Sequence, residues 1–114
     1  MSEECLFCRI VSGEIPGDVV HESDTTLAFR DIEPQAPTHV LVVPKVHLPT
    51  IAALGAAEPG LLADLVAAAD AVAEQEGLGS GYRLVFNTGP DAQQSVLHVH
   101  GHVIGGRSMG WPPG

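Results

Sequence analysis

Three histidines near the end of the chain are the residues best suited to chemistry. His98, His100 and His102 stand at every second position of the stretch LHVHGHVI, residues 97–104. On a helix, His98 and His102 would share a face while His100 pointed away from them. On a strand, all three imidazoles would emerge on one face, each about 6.5–7 Å from the next. The β-branched neighbours favour a strand over residues 95–104, and therefore a row of aligned imidazoles.

Such a row has three possible roles. A histidine in a strand is often only a satisfied polar group, and imidazole is also a ligand of zinc, copper and iron. A purely structural role is disfavoured because aligned imidazoles repel one another when they are protonated. A reactive site is the interpretation that the spacing favours.

Composition limits what this site acts on. Five basic and fourteen acidic residues among 114 give a net charge of −9, which opposes loose binding to nucleic acid or to an anionic membrane. No apolar run approaches the roughly 20 residues that span a bilayer, and the start MSEEC lacks the features of a signal peptide. We therefore predict a cytoplasmic protein of one domain, residues 1–114, with no nucleic-acid or membrane partner.

The pattern of apolar residues and turns predicts an α+β fold. The predicted elements are a helix over 5–12, strands over 19–23, 25–32 and 39–44, a helix over 59–76, and strands over 82–87 and 95–104. Pro59 suits the first turn of the long helix, and Gly77 supplies a left-handed stop. Strand pairs joined by short turns indicate an antiparallel sheet. We expect helices on one face of that sheet and chemistry on the other.

The two cysteines form a C-x-x-C pair, Cys5 and Cys8. In a cytoplasmic chain, this spacing indicates half of a zinc site or a redox dithiol rather than a structural disulfide. The thioredoxin-like βαβ context that the redox interpretation needs is absent. Two buried cysteines without a metal remain the simpler alternative.

Beyond the spacing, the sequence resembles a known family over nearly its whole length. HVHGHVI (98–104) is similar to the H-x-H-x-H-x-x signature of the histidine triad (HIT) proteins. CLFCRIVSGEIP resembles the family's opening, FRDIEPQAPTHVLVVPKVH its middle, and GGRSMGWPPG the tail of its nucleotide-binding (HINT-type) branch. The resemblance implies a five-stranded antiparallel sheet with two helices and a homodimer. It also implies purine nucleoside phosphoramidase activity, which cleaves a nucleoside 5′-monophosphate from an amine or acyl leaving group.

The resemblance also implies a catalytic set. His100 would attack phosphorus and form a nucleotidyl-histidine intermediate, since neutral imidazole is a nucleophile near neutrality without a metal. A backbone carbonyl accepting from its Nδ1–H would turn the Nε2 lone pair toward phosphorus. His102 would neutralise phosphate charge or assist the leaving group. His98 and His39 would support these two, and Ser95 would contact the phosphate and leaving group.

The nucleotide would be held by further positions that resemble the family's binding residues. Asp31 would accept hydrogen bonds from the ribose hydroxyls, and Asn87 would make a polar contact near ribose and phosphate. The base slot would be formed by Phe7, Ile10, Phe29 and Ile32, although each of these is also a candidate core residue. Trp111 would reach across a dimer to the partner's site, or would simply be an exposed tail aromatic.

A metal site follows from the same resemblance. Some members of the family complete a Cys2His2 zinc site with the histidines that correspond to His47 and His98, together with the C-x-x-C pair, here Cys5 and Cys8. Such a closed tetrahedral site would be structural, and catalysis would not require the metal. We expect the helix over 59–76 and the C-terminal segment to form the dimer interface.

Three residues depart from the family pattern, and three other functions stay open. Gly101 stands where a larger apolar residue is usual and is expected to loosen packing behind the nucleophile. Gln93 replaces a common glycine near Ser95, and Arg30 lies at the edge of the base slot. The alternatives are a dinucleoside polyphosphate hydrolase, a purine-nucleotide-binding regulatory module with incidental turnover, and a protein whose main role is zinc binding.

Overall fold

The computed structural model describes residues 5–114, so that most of the MSEEC start lies outside the described residues. The helices are α1 (Leu6–Val11), α2 (Ile51–Ala57) and α3 (Pro59–Gln75), with one turn of 3₁₀ helix at Pro90–Ala92. The strands are β1 (Val19–Glu22), β2 (Thr26–Arg30), β3 (Thr38–Pro44), β4 (Tyr82–Phe86) and β5 (Gly101–Gly105). Within the described residues, no helix is both long and apolar enough to cross a bilayer.

The five strands form one sheet in the order β1-β2-β3-β5-β4, and each neighbouring pair is antiparallel. This arrangement confirms the predicted α+β fold with a five-stranded antiparallel sheet. β3 is buried along its whole length, as its β-branched run predicted. It lies beside β5, with Leu41 opposite His102.

Helices cover both faces of the sheet, which corrects the expectation of helices on one face. On one side, Val40, Val42 and Val103 pack with buried residues of α2 and α3, including Leu54 and Leu65. On the opposite side, α1 packs onto the sheet through a second apolar cluster, whose buried members are Cys5, Phe7, Cys8, Leu27, Phe29, Leu41 and Val43. A six-residue helix covers only part of that face, so space beside it is left for a site.

The α2 helix was not predicted, and the resemblance implied only two helices. Its sequence IAALGAA is short, is rich in small residues and contains a glycine, so its apolar periodicity is weak. Thr50 caps its first turn by accepting a hydrogen bond from the Ala53 amide, and Glu58 ends it directly before Pro59. The predicted stop of the next helix is confirmed, because Gly77 has φ +73° and the Leu78 amide bonds the Ala73 carbonyl at 2.9 Å.

The last strand begins six residues later than predicted. β5 starts at Gly101, and residues 95–100 follow an irregular path. The Gln94 side chain fixes the start of this path by donating to the carbonyls of Pro49 and Val96. Further along, the Val99 amide donates to the Leu48 carbonyl at 2.7 Å. The three triad histidines therefore do not form one straight row.

Packing behind the triad is not loosened at Gly101. A Cβ atom at this position would lie 2.8 Å from Cζ of Phe86 and 2.9 Å from Cδ1 of Leu84. Both side chains belong to β4, and Phe86 pairs directly with Gly101 across the sheet. The volume that a larger residue would occupy is therefore filled from the neighbouring strand.

Candidate active site

His100 stands at the junction between the irregular segment and β5. Its ring is buried, and its Nδ1 lies 2.8 Å from the carbonyl oxygen of His98. Because a carbonyl only accepts, Nδ1 carries the proton and Nε2 keeps its lone pair. Burial lowers the pKa of His100, which favours the neutral ring. Phe7 meets this ring edge-on, with 4.9 Å between ring centroids. The imidazole is therefore held in one orientation and in its neutral form, with the lone pair on Nε2.

A second chain of hydrogen bonds sets the proton positions of His39 and His102. The Gln35 amide donates to Nδ1 of His39 at 3.0 Å, so the proton of a neutral His39 ring is on Nε2. That Nε2–H points at Nδ1 of His102, 2.9 Å away. The proton of a neutral His102 ring is then on its own Nε2, which is buried and has no hydrogen-bond partner in the described residues. The chain therefore ends on an N–H group that is ready to bind an acceptor.

The charge state of His102 follows from its surroundings. Burial, with smaller contributions from His100 and His39, lowers the pKa of His102 to about 4, although Asp31 opposes the shift. The ring is therefore neutral at neutral pH. What His102 offers in this state is hydrogen-bond donation rather than a formal positive charge.

Asp31 follows β2 where the chain turns away from the sheet. Its Oδ1 accepts from the Glu33 amide at 2.8 Å, and its Oδ2 lies 3.5 Å from Nε2 of His39. Asp31, His39 and His102 are close enough together to suggest a metal site. However, the hydrogen bond between the two imidazoles occupies nitrogens that a metal would need. The group is better described as a hydrogen-bonded chain with one carboxylate oxygen beside it.

These side chains open onto a cavity of about 630 Å³ between α1 and the sheet. Eight of the predicted site residues line it: Phe7, Ile10, Phe29, Asp31, Ile32, Ser95, His100 and His102. Arg30, which was expected at the edge of the base slot, lines it as well. Leu41, Asp18 and Val96 also line it and were not predicted. Leu41 was detectable, because it lies two positions after His39 on the same strand and therefore on the same face. His39 contacts the site through His102.

Two of the predicted nucleotide-binding residues do not line this cavity. Asn87 is half-buried directly after β4. Trp111 is 83% exposed, with the Arg83 guanidinium 6.0 Å from its ring. The same guanidinium donates to the Gly110 carbonyl, which holds the tail against β4.

The two other departures from the family pattern are Gln93 and Arg30, and the structure shows the backbone conformation of the first and the contacts of the second. Gln93 adopts the left-handed conformation with φ +67° at the end of the 3₁₀ turn, which explains why glycine suits this position. At the cavity rim, Arg30 forms two hydrogen bonds to the Glu76 carboxylate, at 2.7 and 3.1 Å, and lies 3.6 Å from Asp18. The bond from Arg30 lowers the pKa of Glu76. Arg30 is therefore held in place beside the slot.

The four predicted metal ligands meet behind the first triad histidine. Nδ1 of His98 lies 3.4 Å from Sγ of Cys5, 3.5 Å from Sγ of Cys8 and 3.3 Å from Nδ1 of His47. Nδ1 of His47 lies 3.3 Å from Sγ of Cys8. A tetrahedral zinc ion, with Zn–S of about 2.3 Å and Zn–N of about 2.0–2.1 Å, would place its ligand atoms about 3.3–3.8 Å apart. The arrangement fits such an ion.

The surroundings of this cluster also suit a metal. Nε2 of His98 lies 2.8 Å from the Pro44 carbonyl and must donate to it, so that Nδ1 presents its lone pair to the cluster. Cys5, Cys8 and His98 are buried. Cys5 is also the N-cap of α1, where its sulfur accepts from the Cys8 amide at 3.3 Å. The cluster thus joins α1 to the triad segment.

Comparison with known proteins identifies the family. The HIT domain model matches residues 12–109. The chain belongs to the HIT family. The resemblance seen in the sequence is confirmed, and the matched residues include all three triad histidines.

Curated relatives match this HIT chain at high identity. It is 51% identical over 112 residues to "Adenylylsulfatase HINT1" of Arabidopsis thaliana, covering 96% of this chain and 76% of the relative. It is 50% identical over 111 residues to the "14 kDa zinc-binding protein" of Zea mays, covering 96% and 87%. It is 44% identical over 111 residues to the "Purine nucleoside phosphoramidase" of Escherichia coli K12, covering 96% and 93%.

A solved structure has the same fold. The HIT family hydrolase from Legionella pneumophila is 52% identical to this HIT chain and superposes with a TM-score of 0.93. The match covers 97% of this chain and 100% of that one. A second HIT family hydrolase, from Clostridium thermocellum, superposes with a TM-score of 0.92 at 40% identity and 96% coverage of both chains. The architecture is therefore that of the HIT family throughout.

Proposed function

We propose that this protein is a nucleotidyl hydrolase that cleaves purine nucleoside 5′-phosphoramidates through a nucleotidyl-His100 intermediate. One observation carries the proposal. The rings of His100 and His102 have centroids 5.0 Å apart, and both rings line one cavity. Nε2 of His100 is unprotonated, and Nε2–H of His102 has no hydrogen-bond partner within the described residues. A nucleophile and a hydrogen-bond donor are thus presented together, as displacement at a phosphate group requires.

The reaction divides into two displacements. In the first, His100 Nε2 forms a bond to phosphorus and the P–N bond to the leaving amine breaks. In the second, water attacks phosphorus, and His100 leaves as a neutral imidazole. Over both steps, the hydroxyl of water ends on phosphorus and its other proton ends on the amine. His102 Nε2–H and the Ser95 hydroxyl are the proposed donors to phosphate oxygen and leaving group.

The nucleoside half of the substrate fits the rest of the cavity. The four apolar residues of the predicted slot, Phe7, Ile10, Phe29 and Ile32, line this cavity. Phe7 and Phe29 are buried and Ile32 is 94% exposed, so the proposed slot places a flat base between the buried rings and an exposed rim. The Asp31 carboxylate is the proposed acceptor for the ribose hydroxyls. A net charge of −9 does not attract phosphate from a distance, so local N–H and O–H donors hold it.

The names of two relatives support the proposed type of bond that is cleaved. One relative is named a purine nucleoside phosphoramidase and another an adenylylsulfatase. A phosphoramidate carries an amine on the nucleotide phosphorus and an adenylyl sulfate carries sulfate there, so a common nucleophile suits both. We therefore include acyl and sulfate leaving groups in the proposed substrate class, with an amine as the principal one.

We also propose that Cys5, Cys8, His47 and His98 hold a structural zinc ion. The interatomic distances support this, as does the relative named a zinc-binding protein. Four protein ligands leave no open position for substrate, so the ion supplies rigidity rather than Lewis acidity. Its effect on the triad is indirect, because His98 also provides the carbonyl that orients His100.

We further propose that the protein is a homodimer in the cytoplasm. α3 leaves Val66 49% exposed, and the small residues around it permit close approach of a second helix. In such a dimer, Trp111 of one protomer would reach the partner's cavity, and Asn87 would contact ribose and phosphate. Sedimentation velocity at micromolar concentration tests this part, and a monomer would remove the role given to Trp111.

A substrate panel tests the proposed activity. Wild-type protein is assayed with adenosine and guanosine 5′-phosphoramidates, adenylyl sulfate and a dinucleoside polyphosphate, and His100→Ala is assayed beside it. We expect the highest kcat/KM with the phosphoramidates. Preference for the dinucleoside polyphosphate would contradict the substrate class. Tight binding of a nucleoside monophosphate without turnover of any substrate would instead favour a regulatory binding module.

A further inference from the structure

The position between the nucleophile and the donor has no side chain of its own. Gly101 lies between His100 and His102, and the side of its backbone opposite those rings faces the core shared with α3. The ring of Phe86 fills that side together with Leu84, since a Cβ atom at position 101 would lie 2.8 Å from Cζ and 2.9 Å from Cε1 of Phe86, and 2.9 Å from Cδ1 of Leu84. Phe86 and Gly101 are also direct partners across the β4–β5 pair.

We infer that Phe86 is a positioning residue for the nucleophile. Glycine gives the backbone unusual freedom, and here it follows the irregular segment that carries His98 and His100. An aromatic ring packed over a strand glycine restores the restraint that the missing side chain would provide. Phe86 thereby holds the peptide between His100 and His102 in one place. The inference rests on the proposed function, because it concerns the residues that would carry out that reaction.

This role predicts which kinetic constant changes. The hydrogen bond from His100 Nδ1–H to the His98 carbonyl spans only two residues, so its geometry depends on the backbone immediately around it. The apolar slot is built from α1 and β2, on the other side of the sheet from Phe86. Loss of the Phe86 ring should therefore reduce kcat, while KM for the nucleotide changes little.

The experiment moves side-chain volume from position 86 to position 101. Phe86→Val and Gly101→Leu are made singly and together, and the double variant holds the same number of side-chain carbons as the wild type. We expect Phe86→Val to lower kcat for an adenosine phosphoramidate by about tenfold, which is the scale of a small misplacement of reacting groups. The double variant should recover to within about threefold of wild type by the same reasoning.

A matched control separates positioning from stability. Val72→Ala removes buried volume from α3 in the same apolar core without touching position 101, and its melting temperature is compared with that of Phe86→Val. We expect similar melting temperatures but near wild-type kcat only in Val72→Ala. Equal losses of kcat in the two variants would overturn the inference, as would a folded double variant that fails to recover.

A measurement made without substrate tests the positioning role of Phe86 independently of the proposed activity. In ¹⁵N-labelled protein, imidazole nitrogen shifts report whether the His100 proton resides on Nδ1. We expect one Nδ1–H form in the wild type and the double variant, and a mixture in Phe86→Val. If the wild type hydrolyses no phosphoramidate, the proposed function fails and these spectra alone decide the inference. An unchanged His100 signal in Phe86→Val would then reject it.

Discussion

The molecule contains two groups of histidines, which meet at the hydrogen bond from the His100 ring to the His98 carbonyl and differ in how their ring nitrogens are used. In the Cys/His cluster, Nδ1 of His47 and Nδ1 of His98 turn inward with two sulfurs toward one point. In the triad group, Nε2 of His39 is hydrogen-bonded to Nδ1 of His102, and the buried Nε2 of His102 has no hydrogen-bond partner in the part of the chain that the structure describes. In both groups, the hydrogen-bond partner of one ring nitrogen determines what the other ring nitrogen can bind, and so determines the role of the histidine.

The comparison is sharpest at His98 and His100, only two residues apart. The ring of His98 donates from Nε2 to the Pro44 carbonyl and turns Nδ1 toward the sulfurs. The ring of His100 donates from Nδ1 and turns Nε2 toward the cavity. The two rings therefore have opposite tautomers, fixed in each case by a backbone carbonyl. One arrangement suits the proposed zinc site, and the other suits the proposed nucleophile.

The largest expected effect comes from removing the exposed nucleophile. His100→Ala should lower kcat for a phosphoramidate by at least about 10³-fold, because loss of a covalent nucleophile leaves only binding and electrostatic effects. Affinity for the nucleoside monophosphate, measured by calorimetry, and metal content should change little. A variant that retains its turnover would show that another group attacks phosphorus, and the contrast between the two histidine groups would collapse.

The next largest effect concerns the closed group. Cys8→Ala should abolish stoichiometric zinc in elemental analysis and lower the melting temperature by roughly 10 °C or more, because an ion that binds only the folded state stabilises it by several kcal/mol. Turnover per folded molecule should stay near that of the wild type. Val43→Ala, in the same apolar cluster, is the control that loses volume without losing a ligand.

Two outcomes would change the account of this cluster. Wild-type protein that contains no zinc after reducing, chelator-free purification would return both cysteines to a packing role. If activity vanished with the metal while circular dichroism remained native, the ion would belong to the reaction itself. The two histidine groups would then be one functional unit.

A smaller effect is expected from breaking the hydrogen-bond chain. His39→Ala removes the donor to His102 Nδ1, so the His102 proton is no longer confined to Nε2. We expect kcat to fall about tenfold to a hundredfold, at the lower end of general acid–base contributions, with zinc content unchanged. His21→Ala, which alters the histidine of β1, is the matched control. Equal kinetics in both variants would mean that the chain of nitrogens has no catalytic role.

The smallest effect is a dependence of stability on pH. The pKa of His102 is about 4 in the folded protein, whereas that of an unfolded histidine is about 6.5. Between these values the unfolded chain binds a proton that the folded site refuses, so the free energy of unfolding falls as pH drops from about 6.5 to about 4. His100, His39 and Asp31 face this ring, and Asp31 opposes the shift.

Urea titrations at a series of pH values test this prediction. The slope of the unfolding free energy against pH between about 4 and 6.5 should be shallower in His102→Gln than in the wild type. Equal slopes would indicate that other groups, and not this ring, account for the acid sensitivity. In that case, the burial of the unpartnered Nε2–H would not be what keeps His102 neutral.

The sequence was informative wherever function depends on residue type and local pattern. The strand core, the stop at Gly77 and the set of ligands in the Cys/His cluster all followed from spacing or from resemblance. The path of residues 95–100 did not, because it depends on contacts with distant residues, such as the bond from Val99 to Leu48. The α2 helix was not predicted because it depends on packing and on the Thr50 cap, and its apolar residues show little helical periodicity.

The proton positions were only partly accessible from the sequence. A carbonyl partner for His100 was expected from the family chemistry, but its source was not identified. The orientation of His39 depends on the Gln35 amide, which no side-chain pattern encodes. Likewise, Phe86 is unremarkable in the sequence, and only the cross-strand register connects it to Gly101. Relations of this kind arise from pairing in three dimensions.

The two roles of His98 affect how the Cys/His cluster and the triad group could diverge during evolution. Its imidazole belongs to the ligand cluster, whereas its contribution to His100 is a peptide carbonyl, which every amino acid possesses. A lineage could therefore lose the proposed zinc site by changing this side chain and still inherit the carbonyl that orients His100. His100 differs, because its proposed role depends on its imidazole ring, which no backbone group can replace. Loss of the metal and retention of catalysis are thus compatible along one mutational path, and His98 is where that path begins.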